Sequence, residues 1–368
     1  MKKKEKYKIA ILTPSINSYS ETFIKAHIDG IHGEKDVFYG GELPRFHNKG
    51  KIQSENFWIC KLKNLIFNTA FSQDEWSVIK TIKAEKIQLI FIEYGTTAAR
   101  VYKLIDYLKT PFVIHFHGFD ISTHNLLSKN ESCYKIMLPR ASWIFAVSQS
   151  MQKKLRSLGA KEDKITCTPC GANEAYLNVV NTHEKNTFVT VGRFVEKKGP
   201  LYTIMAFHLL LNKGYKAKLK MIGDGLLKDL CVHYVKTHQL HEHIVFLGVL
   251  DIEGIATEFS KSICYVQHSI TAQSGDQEGT PVSIMEAMLS GLPIIATNHG
   301  GIPDIVSEDR GILTEEKDTL AMATAMEDCI NHPEKFQNMG LNGKNFIREN
   351  HTLQIHLTKI NEAISTIL

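Results

Sequence analysis

Short β-branched runs alternate with longer amphipathic segments along the whole chain, and the alternation starts afresh in its second half. Strands separated by helical crossovers pair in parallel, so this rhythm dictates parallel sheets with helices on their faces. In the first half the spacing predicts strands at Lys8–Leu12, Leu89–Ile92, Phe112–Phe116, Trp143–Val147 and Ile165–Thr168, with helices over Glu21–His32, Thr97–Leu108 and Ser150–Leu158. The signal fades into the polar stretch "NEAYLNVVNTHEKN" (173–186), read as a linker. A second series follows at Phe188–Val191, Leu219–Ile222, Ile244–Leu247, Ile263–Val266 and Pro293–Ala296, with helices from Gly199, Leu226 and Pro281. The last fifty residues read as helices, one started by the Pro of "NHPEKF". The expected architecture is α/β: two Rossmann-like, doubly wound domains facing each other across a cleft, divided as 1–175 and 176–350, with 351–368 as a helix returning to the first.

A length of 368 residues suits two domains, and 43% apolar with 22% charged residues is ordinary for a globular chain. Apolar runs such as Leu89–Ile92 are far below the roughly 18 residues of a membrane span, and the basic N-terminus lacks a signal-peptide core, so the chain is expected in the cytoplasm. Seven cysteines argue for free thiols; Cys167 and Cys170 form a CxxC without a second ligand pair and read as strand-end residues. Residues 1–180 carry 26 Lys+Arg against 17 Asp+Glu, a balance of +9, whereas the remainder carries 17 against 22, a balance of −5. No nucleic-acid motif accompanies the basic half, so nucleic acid is not an expected partner; the charge fits an anionic membrane face, a phosphorylated substrate or simply scattered solvated lysines.

In such sheets ligands bind beyond the carboxyl ends of strands. Four post-strand loops of the second half are rich in glycine or charge: "VGRFVEKKGP", "MIGDGLL", "FLGVLD" and "QHSITAQSGDQEGTPVSIMEAM". Glycine admits close backbone approach, and helix N-termini favour anions, so these loops describe a pocket for a nucleotide diphosphate. Within the last of them Glu278 precedes a helix start and Glu286 follows eight positions on, so one element grips two parts of a ligand. "GDGLLK" resembles a dinucleotide fingerprint but lacks its third glycine and distal acid, which ranks a nicotinamide dehydrogenase low.

The stretches "VGRFVEKKGPLYTIMAF", "MIGDGLL", "FLGVL" and "EGTPVSIMEAMLSGLPIIATNHGGIPDIV", with "ILTPSINSYSETFI", "IHFHGFDIS" and "VSQSMQKKLRSLGAKEDKITCTPCGAN" before them, resemble a family 4 retaining glycosyltransferase of GT-B fold over nearly the whole chain. In pattern they are most similar to enzymes of bacterial exopolysaccharide, capsule or colanic-acid-type assembly. The resemblance implies a metal-independent hexose transfer from a nucleotide-diphosphate sugar, UDP favoured, to a glycan or undecaprenyl-diphosphate-linked acceptor. It implies catalytic roles for His117, Arg193, Lys198 and Glu278, and donor binding by Asn17, Gly223, Gly248, Val249, Leu250, Gly279, Thr280, Val282 and Glu286. Ser18, Glu21 and Asp120 fall on the acceptor side. No metal-binding DxD is present, and no cofactor is expected.

Two departures stand out: "PSINSYSE" replaces a Gly-Gly pair in the first loop, and Pro281 replaces a glycine and cannot donate an N–H. Strand periodicity sets His115 and His117 on one face and leaves open which of them meets the donor. "NFWICKLKNLIFNTAF" (56–71) mixes lysines with aromatics as an interfacial helix does, or as a core helix with a solvated lysine edge does. A GT-B epimerase or phosphorylase is the alternative function, and a non-catalytic scaffold is the remaining one.

Overall fold

A computed structural model describes residues 7–16 and 22–368. The first sheet contains β1 (Lys8–Leu12), β2 (Glu34–Tyr39), β3 (Phe46–His47), β4 (Gly50–Lys51), β5 (Leu89–Glu93), β6 (Phe112–Phe116), β7 (Trp143–Ala146) and β8 (Ile165–Cys167). Its order is β4-β3-β2-β1-β5-β6-β7-β8, parallel from β2 to β8, with the β3–β4 hairpin antiparallel at the edge. The second sheet contains β9 (Thr187–Val191), β10 (Lys218–Ile222), β11 (Ile244–Gly248), β12 (Cys264–Gln267), β13 (Ile294–Thr297) and β14 (Gly311–Thr314). It is wholly parallel in the order β11-β10-β9-β12-β13-β14. Strand order therefore reverses between β9 and β12, which opens a ligand crevice at their carboxyl ends. These are the two facing Rossmann-like domains of a GT-B fold.

Helices cover both faces of each sheet, which is why every residue of β5 and β6 is buried. The C-terminal helix Leu353–Ile367 belongs to this cover: Ile360, Ala363 and Ile364 pack against Ile9, Ile11, Phe91 and Val113 of the first sheet. Asn361 fastens it, taking a hydrogen bond from the His32 amide and donating one to the Gly30 carbonyl.

β2 and β14 were not expected from the sequence. β2 reads "EKDVFY", too charged for a central strand, yet its buried Asp36 pairs at 2.9 Å with Lys8 of the neighbouring strand, which also reaches Glu85 at 2.6 Å. The four residues of β14 are too short for a periodic signal, and pairing with β13 makes them a strand. Helix Phe57–Phe67 departs furthest from a core element. Of its residues only Cys60 is buried, while Trp58, Leu62, Leu65 and Ile66 are exposed. Its two lysines separate: Lys61 lies over the Trp58 ring, whereas Lys63 turns inward to the buried Glu55 at 2.8 Å. Among the described residues no helix is long and apolar enough to cross a membrane.

Candidate functional site

The loop after β9 turns through Gly199, whose positive φ of 51° and close approach to the His268 carbonyl exclude any side chain, and helix Pro200–Asn212 begins there. The turn sends two adjacent lysines to different tasks. Lys197 is buried and clamps the 276–277 loop, with its Nζ 3.1 Å from Asp276 and donating to the Gln277 carbonyl. Lys198 reaches Glu278, Nζ to Oε2 at 3.2 Å. Arg193 is exposed at the rim of a pocket that Lys198, Phe194, Met221 and Gln267 also line.

Glu278 is held from behind. Its amide donates to His299 Nε2 at 3.0 Å, which leaves Nδ1–H of that ring to donate to Glu316 at 2.6 Å. One carboxylate oxygen meets Lys198; the other, Oε1, is buried without a partner. Burial would raise this carboxyl, but Lys198 and Lys197 outweigh it and keep it below its ordinary value. Burial in turn lowers Lys198, against the pull of Glu278. An ionised carboxylate with an unsatisfied oxygen in a crevice is an acceptor waiting for a hydroxyl donor.

Helix Val282–Leu289 starts one residue beyond Pro281, which sits at the N-cap with φ −63° and ψ 119°. The first-turn N–H groups of a helix lack intrahelical partners, so Val282 and its neighbours present donors to the crevice. The Thr280 hydroxyl donates to the Val147 carbonyl of the first domain. At Gly279 a Cβ would lie 2.4 Å from Val147, and Val282 packs into the cores of both domains. These residues therefore form the seam that closes the cleft, which glycine at 279 makes possible. Glu286, partly exposed on the same helix, carries no ion pair among the described residues, and burial pushes it up to about 8.

Gly223 is a packing residue. At φ +130° its Cβ would fall 2.0 Å from the Gly192 carbonyl, and its amide donates to the Gly248 carbonyl at 2.7 Å. Gly248, at φ +71°, faces open space, Val249 is exposed, and Leu250 is partly buried against the second core.

On the first domain several expectations change. Asp120 is fully buried, and its oxygens accept from the amides of Gly95 at 2.8 Å, Gly118 at 3.0 Å and His117 at 3.2 Å. It braces the loop after β6 and has no oxygen left for an acceptor. The His117 imidazole, expected to face the donor, is 6% exposed; Nε2 lies 2.7 Å from Glu93, Nδ1 faces Cys170, and the ring stacks on Phe23. It is the His117 carbonyl that approaches Gly279. His115 is wholly buried and does not reach the cleft. Glu93 joins His27 at 2.6 Å as well as His117, and the two outweigh its burial to hold the carboxyl down at about 2. Asn17, Ser18 and Glu21 lie outside the described residues.

Comparison with known proteins fixes the family. Glycosyl transferases group 1 matches residues 174–346, and glycosyltransferase family 4 matches residues 37–176. The chain belongs to glycosyltransferase family 4. An amylovoran biosynthesis glycosyltransferase, AmsK, of Erwinia amylovora is 28% identical over 247 residues, 66% of this chain and 61% of that relative. A putative colanic acid biosynthesis glycosyltransferase, WcaL, of Salmonella typhimurium is 27% identical over 292 residues, 78% of this chain and 71% of the relative. In fold, this glycosyltransferase matches the crystal structure of Anabaena Alr3699/HepE in complex with UDP and glucose, with a TM-score of 0.75 at 18% identity, over 98% of this chain and 100% of that one.

Several residues of the glycosyltransferase site were not singled out from sequence. Lys197 was hidden by its neighbour in "EKKG". His299 and Glu316 support Glu278 from two other loops; the "NHGG" that follows β13 was the available signal for the first, and nothing marked the second. Tyr265 joins the Val191 carbonyl, Gln267 and Ser283 in one hydrogen-bonded group at the floor of the pocket, and its fully buried ring reads from sequence as core.

Proposed function

We propose that this glycosyltransferase moves a hexose from a UDP-sugar to a lipid-diphosphate-linked glycan in surface-polysaccharide assembly, with retention of configuration and no resident metal at the donor site. The observation that carries the reading is the Lys198–Glu278 pair, with the second Glu278 oxygen buried and unpartnered beside the Arg193 pocket. Glu278 Oε1 accepts a donor-sugar hydroxyl, Lys198 and Arg193 meet the diphosphate, and Glu286 takes the ribose hydroxyls. The names of the amylovoran and colanic-acid relatives support the pathway class, and the UDP and glucose of the structural neighbour support the donor class.

The acceptor oxygen attacks the anomeric carbon on the face from which the diphosphate departs. As that C–O bond breaks, a departing phosphate oxygen takes the acceptor proton, so no separate base is required. The two cations and the helix N-terminus stabilise the charge that develops on the leaving group. Helix Phe57–Phe67, with seven apolar side chains exposed and Lys61 at its surface, lies at the anionic membrane face where the acceptor resides.

The test is a panel of UDP- and GDP-hexoses with a lipid-diphosphate acceptor in anionic vesicles. One UDP-hexose is expected to give a product of unchanged anomeric configuration, and the wild type is expected to co-float with vesicles where Leu65→Glu does not. An inverted product overturns the mechanism, and equal flotation of both proteins overturns the docking helix.

A further inference from the structure

Away from the donor pocket, the first domain buries a group of histidines that the transfer reaction does not use. His27 comes from helix Thr22–Gly30, His115 from β6 and His356 from the C-terminal helix, and they are 0%, 0% and 1% exposed. Their ring centroids are 5.0 Å (His27–His115), 5.1 Å (His27–His356) and 5.4 Å (His115–His356) apart. One ring nitrogen from each lies within 4.8 Å of the others.

The hydrogen bonding of this trio is incomplete in a revealing way. His27 Nδ1 is 2.6 Å from Glu93, and His356 Nδ1 is 3.0 Å from the Thr168 hydroxyl. Each outer nitrogen is thus held by an oxygen, while the two Nε2 atoms face each other at 2.8 Å. His115 is sealed between them with neither ring nitrogen partnered. A buried imidazole with two orphan nitrogens is costly unless something in the centre of the group satisfies it.

We propose that His27, His115 and His356 bind a zinc ion that clasps the C-terminal helix to the first domain. Zinc–nitrogen bonds of about 2.0–2.1 Å place imidazole centroids about 3.2 Å from the ion, and tetrahedral angles then separate them by roughly 5.2 Å, close to the 5.0–5.4 Å between these rings; the two Nε2 atoms, 2.8 Å apart here, open to about 3.3 Å around the ion. Glu93 behind His27 and Thr168 behind His356 are the outer partners that fix ring orientation and turn both Nε2 atoms toward the centre, where the ion replaces the contact they make with each other. Zinc is favoured over magnesium or calcium because all three ligands are nitrogens and none is a carboxylate. The consequence is mechanical. His27 and His356 stand 329 positions apart, so a shared ion fixes the helix that crosses back from the second domain.

The experiment uses the full chain without an affinity tag, dialysed against zinc and then against buffer. The wild type is expected to retain about one zinc per chain, and cobalt substitution to give visible bands of imidazole ligation without thiolate charge transfer. Thr168→Val removes only an outer partner and is expected to weaken zinc about 10–100-fold. His356→Ala is expected to lose the metal, and the exposed His332→Ala to keep it. Chelator should lower the melting temperature of the wild type and leave that of His356→Ala unchanged. A wild type that holds no zinc overturns the proposal, as does wild-type zinc affinity in His356→Ala. A thiolate band also overturns it, moving the ion to the neighbouring group of His115, His117 and Cys170. If His356→Ala fails to fold, the wild-type zinc content and cobalt spectrum decide.

Discussion

The two domains are built from the same βα rhythm but assemble their polar centres differently. In the second domain the working groups sit on loops at one end of one sheet: Lys198 and Glu278 are joined at 3.2 Å, and Glu278 and His299 at 3.0 Å, from positions 80 and 21 residues apart. The centre opens to a crevice, and Glu278 Oε1 is unsatisfied. In the first domain His27, Glu93, His115, His117 and His356 close on one another beneath the surface, drawing on a helix at each end of the chain. One arrangement opens its bonding capacity to a crevice; the other turns it inward, away from solvent. A perturbation should therefore break chemistry in the second domain and stability in the first.

The largest expected effect is Glu93→Ala. Removing a carboxylate that pairs with two buried histidines leaves them uncompensated, and loss of one partner of a buried pair costs about 3–5 kcal/mol. Urea unfolding reads this. A first domain as stable as the wild type would erase the contrast. Next is Lys198→Ala, which removes the cation paired with Glu278 and proposed to meet the leaving group, while leaving both sheets intact. Turnover at saturating donor should fall about 10²–10³-fold with the urea midpoint little changed. A large loss of stability here would mean that the Lys198–Glu278 pair, too, is a brace.

The smallest effect is one of pH. Glu286 is raised from an ordinary 4.5 to about 8, so between those values the free protein holds a proton that the unfolded chain has lost. Folding stability from this group therefore declines as pH rises from 4.5 to about 8. Ribose hydroxyls that donate to Glu286 favour its charged form, so nucleotide binding should release a proton at pH 7 and strengthen as pH approaches 8. Titration calorimetry in buffers of different ionisation enthalpy measures that proton. None released would place the ribose elsewhere.

These contrasts track what could be read beforehand. Lys198, Glu278 and Glu286 stood out because a crevice loop is a local object: a strand end, a glycine that turns the chain, a charge, and a helix start follow within a few residues. Asp120 stood in an equally polar loop and was assigned to the acceptor, yet three backbone amides claim it. Sequence does not distinguish a carboxylate that meets a ligand from one that satisfies its own loop. Sequence sets the side chain of His117 outward for the same reason, and nothing around Glu93, at the end of an apolar strand, marks it as polar machinery.

By itself the sequence determined the two-fold βα rhythm, nearly every central strand and the glycine-rich loops, because periodicity and backbone requirements are written within a few residues of where they act. The tertiary structure alone decided which polar groups face the cleft and which face each other. It turned Lys63 inward to Glu55, left Trp58 and Leu65 uncovered, made a strand of the charged β2 by setting Asp36 against Lys8, and brought His356 to His27. Such pairings depend on the packing of segments far apart in the chain, where burial sets the cost of an unsatisfied group and a one-residue pattern carries no record of its partner.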